Sequence, residues 1–254
     1  MAKKPPRWYF SLRSPYSWFA HHDLKKHHPD VLDSVRWIPF WEPDARSQEL
    51  LARAGAELPL VPMAREKNFY ILQDARRLAE DRGLDVTWPI DREPVWEVAH
   101  LAYLVAEDAG RGKEFVDRVY RARWQESQNI SDPAVIGSIA EELGLDADRA
   151  AGAADDPQLR ARGVDILAAS ARDGLFGVPF FVHGHDRFWG VDRVAAFVAA
   201  LRGVPRSAVA VPDAEAAALR GVPRSAVAVP DAEAAALPRM AAAGADAGHA
   251  GGCG

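Results

Sequence analysis

The sequence predicts an α/β protein: a βαβ half and a ββα half joined by a helix, with a large all-helical insertion and a low-complexity C-terminal tail. Three observations predict it. Short apolar stretches at 8–12, 35–41 and 176–183 have the alternation or the aromatic content of strands with a buried face. Between the second and third of these, residues 45–155 read as helix nearly throughout. Beyond them, residues 201–218, LRGVPRSAVAVPDAEAAA, recur unchanged at 219–236.

The elements follow in order. Trp8, Phe10 and Leu12 alternate with Tyr9, Ser11 and Arg13, and the alternation stops at Ser14. Pro15 has no backbone N–H to satisfy and suits the first position of a helix, predicted over 15–26 and ended by HHPD at Pro29. Ser14 therefore stands where a strand ends and a helix begins, with its hydroxyl near unpaired helix N–H groups. Such a place attracts anions and favours a thiolate. VRWIPFW over 35–41 reads as a second, parallel strand with an irregularity at Pro39.

In the helical block, Phe69, Leu72, Ala75 and Leu78 make an apolar stripe on a helix over 64–83. Pro94 opens a helix that Gly110 closes, and Asp132-Pro133 and Asp156-Pro157 are strong helix starts, the second running to Arg172. FGVPFFVH, the Gly184-His185-Asp186 turn and RFWG make an antiparallel hairpin, after which Asp192 caps a last helix. This order of elements is the thioredoxin-like plan. It predicts a thioredoxin-like domain from 7–45 and 156–202, a helical insertion domain at 46–155, and a repeat tail at 203–254 too poor in large apolar groups to pack.

Composition narrows the chemistry. The chain has 254 residues, 48% hydrophobic and 26% charged, with a formal charge of -5. That gives no electrostatic reason to expect nucleic acid, and no apolar run suits a membrane span or a secretory signal, so a cytoplasmic protein is expected. The single cysteine, Cys253, rules out an intrachain disulfide and a CxxC redox pair. His21, His22, His27 and His28 crowd one segment, but adjacent histidines point to different faces of a helix. They are expected on a solvated helix face and at its end, and no metal site is expected.

The succession S-P-Y-S-W after a strand, Lys67-x-x-Tyr70-x-x-x-Asp74 on a helix, I-S-D-P, F-G-V-P and G-x-D-R resembles the DsbA-related group. Within it the likeness is to the 2-hydroxychromene-2-carboxylate isomerases and the kappa-class glutathione transferases, over about 7–202. The resemblance implies that Ser14 is the catalytic serine, its hydroxyl facing the sulfur of bound glutathione. It implies that Lys67 anchors the glycine carboxylate and that Val178-Pro179 forms a cis-proline loop whose backbone pairs with the tripeptide. It places Asp192 at the γ-glutamyl amine. Val191 stands where relatives often carry a small polar residue, and the loop before Lys67 lacks an asparagine found in relatives. The cofactor is thus glutathione or another low-molecular-weight thiol. Tyr16 and Trp41 are expected to line an aromatic substrate pocket, with Trp18 and Phe180 in the core. The implied activity is thiol-dependent cis–trans isomerisation of an aromatic or polyunsaturated α,β-unsaturated carbonyl compound. A transferase that keeps the thiol attached and a non-catalytic binding module are the alternatives. The expected partners are a small-molecule substrate and, as in relatives, a second copy of the chain.

Overall fold

The computed structural model describes residues 5–59 and 63–204; the tail beyond Val204, with most of the repeat and Cys253, lies outside them. Strands β1 (Arg7–Phe10), β2 (Arg36–Pro39), β3 (Phe180–His183) and β4 (Asp186–Trp189) form one sheet in the order β2-β1-β3-β4. β1 runs parallel to β2, with Trp8 opposite Trp37, and antiparallel to β3, with Tyr9 opposite Phe180. β3 and β4 form the expected hairpin. The C-terminal end of β1 and the N-terminal end of β3 therefore lie side by side at one end of the sheet.

Helices cover both faces. On one, His21 of α1 (Pro15–His27) stacks over Trp8 at 5.9 Å, and Phe197 of α10 (Val194–Leu201) stacks over Phe181 at 4.6 Å. On the other, Asp173, which follows α9 (Pro157–Arg172), accepts a hydrogen bond from the Tyr9 hydroxyl. Between β2 and α9 come α3 (Ala45–Arg53), α4 (Arg65–Arg82), α5 (Glu97–Asp108), α6 (Gly112–Trp124), α7 (Pro133–Glu142) and α8 (Ala147–Ala151). Asp44, Asp132, Asp146 and Asp156 cap α3, α7, α8 and α9 through backbone N–H groups of the first turn. α5 is the apolar centre of this block, buried from Glu97 to Ala106. No helix of the described residues is long and apolar enough to cross a membrane.

The structure corrects several expectations. α1 ends within HHPD as expected, but Pro29 then occupies the first turn of a further short helix, α2 (Pro29–Ser34), where none was expected. The second strand stops at Pro39, and the third begins at Phe180, with 176–179 a loop. The buried face of α4 is Ile71, Ala75 and Ala79, whereas Phe69 is 52% and Leu72 38% exposed. Two apolar faces compete on that helix, and contact with its neighbours selects the one with small residues. His21 is buried rather than solvated, because its ring joins the Trp8–Trp37 stack. Asp192 does not cap α10. It lies within a 3-10 turn, Val191–Arg193, and its carboxylate pairs with Arg193 at 3.4 Å.

Candidate active site

Ser14 occupies the place the sequence assigns it. Its backbone is extended, and its Oγ accepts the Ser17 N–H at 3.2 Å as the N-cap of α1. A hydroxyl that accepts there keeps its own proton to donate. The helix dipole adds a positive potential at the same point. Ser14 is 0% exposed, so its hydroxyl is sheltered by the packing around the helix start.

The loop from Ser11 to Ser14 is fastened from several directions. The Ser11 N–H donates to Ser17 Oγ at 3.2 Å, and the Ser14 N–H donates to the Ser11 carbonyl at 3.2 Å. The Tyr120 hydroxyl of α6 donates to that same carbonyl at 3.2 Å. From α5, the His100 ring reaches across: Nε2 lies 3.0 Å from the Leu12 nitrogen and 3.2 Å from Ser11 Oγ. Its Nδ1 is 2.7 Å from the Trp96 carbonyl, which can only accept, so Nδ1 carries the proton and Nε2 accepts from both loop groups. Burial holds the imidazole neutral, with its pKa lowered to about 3, and the charges of Arg13 and Arg123 push the same way. Arg13 donates to Glu42 at 2.9 Å, and the guanidiniums of Arg13 and Arg123 lie 5.0 and 5.1 Å from the Trp96 ring centre.

The proline loop comes next to this turn. The Val178–Pro179 peptide is cis, as the resemblance implies. The Pro179 carbonyl accepts the Gly190 N–H at 3.0 Å, tying the loop to the 3-10 turn. That turn packs against α1 and carries Asp192, which is exposed. α4 packs against α1 as well: Asp74 accepts the Tyr16 hydroxyl at 2.8 Å and the Tyr70 hydroxyl at 3.3 Å. Lys67 is exposed, seven positions before Asp74 on the same helix and thus two turns along the same face. The 3-10 turn that bears Asp192 and the helix that bears Lys67 both pack against α1, whose first turn Ser14 caps.

Tyr16 is partly buried and its hydroxyl is engaged with α4. Trp41 is 2% exposed and stacked on His100 at 5.2 Å, so its ring belongs to the core beneath the site rather than to an open pocket wall. Trp18 and Phe180 are buried as expected. The exposed rings beside the proline loop are instead Phe176 and Trp189, whose centres are 4.9 Å apart. His100, Tyr120 and Ser17 escaped the reading from sequence. A single histidine inside EVAHLAYLVAED carries no local mark of a contact with a loop so far back in the chain.

The chain resembles solved structures over most of its length. It superposes on a 2-hydroxychromene-2-carboxylate isomerase with a TM-score of 0.61 at 20% identity, covering 80% of this chain and 96% of that one. It superposes on the cytosolic disulfide reductase DsbM from Pseudomonas aeruginosa, solved with GSH, with a TM-score of 0.51 at 18% identity, covering 78% and 98%. At such identities the likeness is one of fold. In sequence it is 31% identical to the uncharacterized protein YwbO of Bacillus subtilis (strain 168) over 114 residues, which is 44% of this chain and about half, 52%, of that relative. Residues 7–202 match the DSBA-like thioredoxin domain model, and the chain belongs to that family.

Proposed function

We propose that the protein is a thiol-dependent cis–trans isomerase of aromatic or polyunsaturated α,β-unsaturated carbonyl compounds, with glutathione as the thiol. The observation that carries this reading is a hydroxyl, not a thiol, at the N-cap of α1, where Ser14 Oγ accepts the Ser17 N–H. With no cysteine in the site, the chain cannot exchange disulfides through it, but it can hold a thiolate supplied from outside. The isomerase superposition and the GSH complex of DsbM are consistent with that choice.

The residues present suit a charged tripeptide. Lys67 and Asp192, both exposed and carried by elements that pack on α1, offer a cation and an anion complementary to a carboxylate and an ammonium. When bound, the thiol supplies reversible addition to the conjugated double bond, which becomes single long enough to rotate. Ser14 donates its free proton toward the sulfur, and the start of α1 favours the negative charge there. The fastened loop 11–14 keeps the hydroxyl in place, so little reorganisation accompanies the step.

The test is melting with and without millimolar glutathione, with glycine as control, followed by turnover on unsaturated aromatic acids. A glutathione-specific rise in melting temperature is expected for a ligand that binds only the folded state. Ser14→Ala should keep most of that rise and lose turnover about a hundred-fold, the scale of one lost oxyanion-type donor. Equal turnover in the variant would remove the role of Ser14. A product heavier by the thiol would identify conjugation, the kappa-class transferase reaction, in place of isomerisation.

A further inference from the structure

We infer that His100 is a positioning residue for the site, holding the Ser11–Ser14 loop so that the side chain at position 14 meets the start of α1. The inference rests on the reading of Ser14 as the group that meets the thiol. Its physical part, however, concerns only where residue 14 is held.

The geometry is specific. Nε2 of His100 accepts from two consecutive loop residues, the Leu12 N–H at 3.0 Å and the Ser11 hydroxyl at 3.2 Å. The Leu12 N–H has left the β1 ladder and precedes the helix, so without His100 it is a buried donor with no partner from either element. The other ring nitrogen is fixed by the Trp96 carbonyl at 2.7 Å, and the ring face by Trp41 at 5.2 Å. The imidazole thus has one tautomer, set by the Trp96 carbonyl, and one orientation, set with it by Trp41 just beyond β2. Two residues beyond Leu12 stands Ser14, 0% exposed. The helical block reaches the end of β1 through this ring, and the Ser14 hydroxyl meets the Ser17 N–H only while the loop keeps its path. Small errors there are costly, because a displacement of about 1 Å at a reacting group can reduce turnover about a hundred-fold. Of the ordinary replacements, glutamine alone combines an acceptor oxygen at about the reach of Nε2 with a neutral side chain.

A single-thiol reporter tests this in the full chain. Ser14→Cys with Cys253→Ala leaves one cysteine, at the N-cap, whose ionisation is followed by thiolate ultraviolet absorbance well below the melting temperature. Adding His100→Leu is expected to move the titration midpoint toward the free-cysteine value of about 8.5, while His100→Gln stays with the parent. Should His100→Leu fail to fold, His100→Asn, whose amide stops short of Leu12, takes its place and is read the same way. Equal midpoints in the parent and in every folded variant would overturn the inference, as a residue that only stabilises the fold would lower the melting temperature and leave the midpoint alone. On the natural Ser14 chain, His100→Leu should lower kcat about a hundred-fold with KM for glutathione nearly unchanged, and His100→Gln should recover most of it. A raised KM with unchanged kcat would overturn the inference. If the unmodified chain shows no isomerisation, the proposed reaction fails while the thiol midpoints still decide His100.

Discussion

Gly163 leaves the space in which Trp41 packs. A Cβ built on it would stand 2.7 Å from Leu101 Cδ2 and 3.1 Å from the Trp41 ring, and neither can retreat from a closed core. Gly163→Ala should therefore destabilise the protein by about 1–3 kcal/mol, although alanine is the better helix former, and urea unfolding would reveal the sign. His21 carries a second residue-scale expectation. Burial under the Trp8 stack lowers its pKa to about 4, against 6.5 unfolded, and Asp117 at 3.4 Å only partly offsets this. Between those values the unfolded chain binds the extra proton, so stability is complete above about pH 6.5 and declines as pH falls toward 4. His100, with a folded pKa of about 3, acts in the same direction. His21→Gln should accordingly flatten the fall of the urea midpoint between pH 6.5 and 4 without abolishing it; an unchanged slope would show that His21 does not titrate in this way.

At the scale of elements, α4 distinguishes periodicity from packing. Ile71 is 6% exposed and Leu72 38%, although either could be read as part of an apolar stripe. Ile71→Ala should cost about 2 kcal/mol or more, by transfer and cavity, while Leu72→Ala should stay within about 0.5 kcal/mol. Equal costs would mean that α4 is rotated about its axis relative to this structure. The same helix is joined to α1 by Asp74 with Tyr16 and by Arg82 with Asp23, the latter through two bonds of 2.9 and 2.7 Å. The α4 face that bears Lys67 is thereby held toward the start of α1.

For the whole molecule, sheet and helical block share one core and one polar lock. Arg160 of α9 donates to both Asp44 oxygens at 2.8 Å, to Ser47 Oγ at 2.7 Å and to the Ala154 carbonyl. Glu97 at the head of α5 accepts the Asp44 N–H at 2.9 Å. Removing the arginine would leave part-buried Asp44 and fully buried Glu97 without their shared cation, so Arg160→Ala should cost about 2–4 kcal/mol. The parent should unfold in urea in a single transition by both tryptophan fluorescence and far-ultraviolet circular dichroism; two separated transitions would show that the block and the sheet are independent units. The sequence by itself determined the order of strands and helices along the chain, the cap of α1 at Ser14 and the starts of α7 and α9, because each depends on neighbours a few residues apart: alternation, a proline at the first helical turn, a capping oxygen. Only the tertiary structure decided which face of α4 is buried, that His21 and Trp41 are core, that Asp192 lies in a 3-10 turn, and that His100 grips the site loop. Those outcomes depend on contacts between residues far apart in the chain, where local periodicity is silent and the closest packing of large rings and paired charges selects the arrangement.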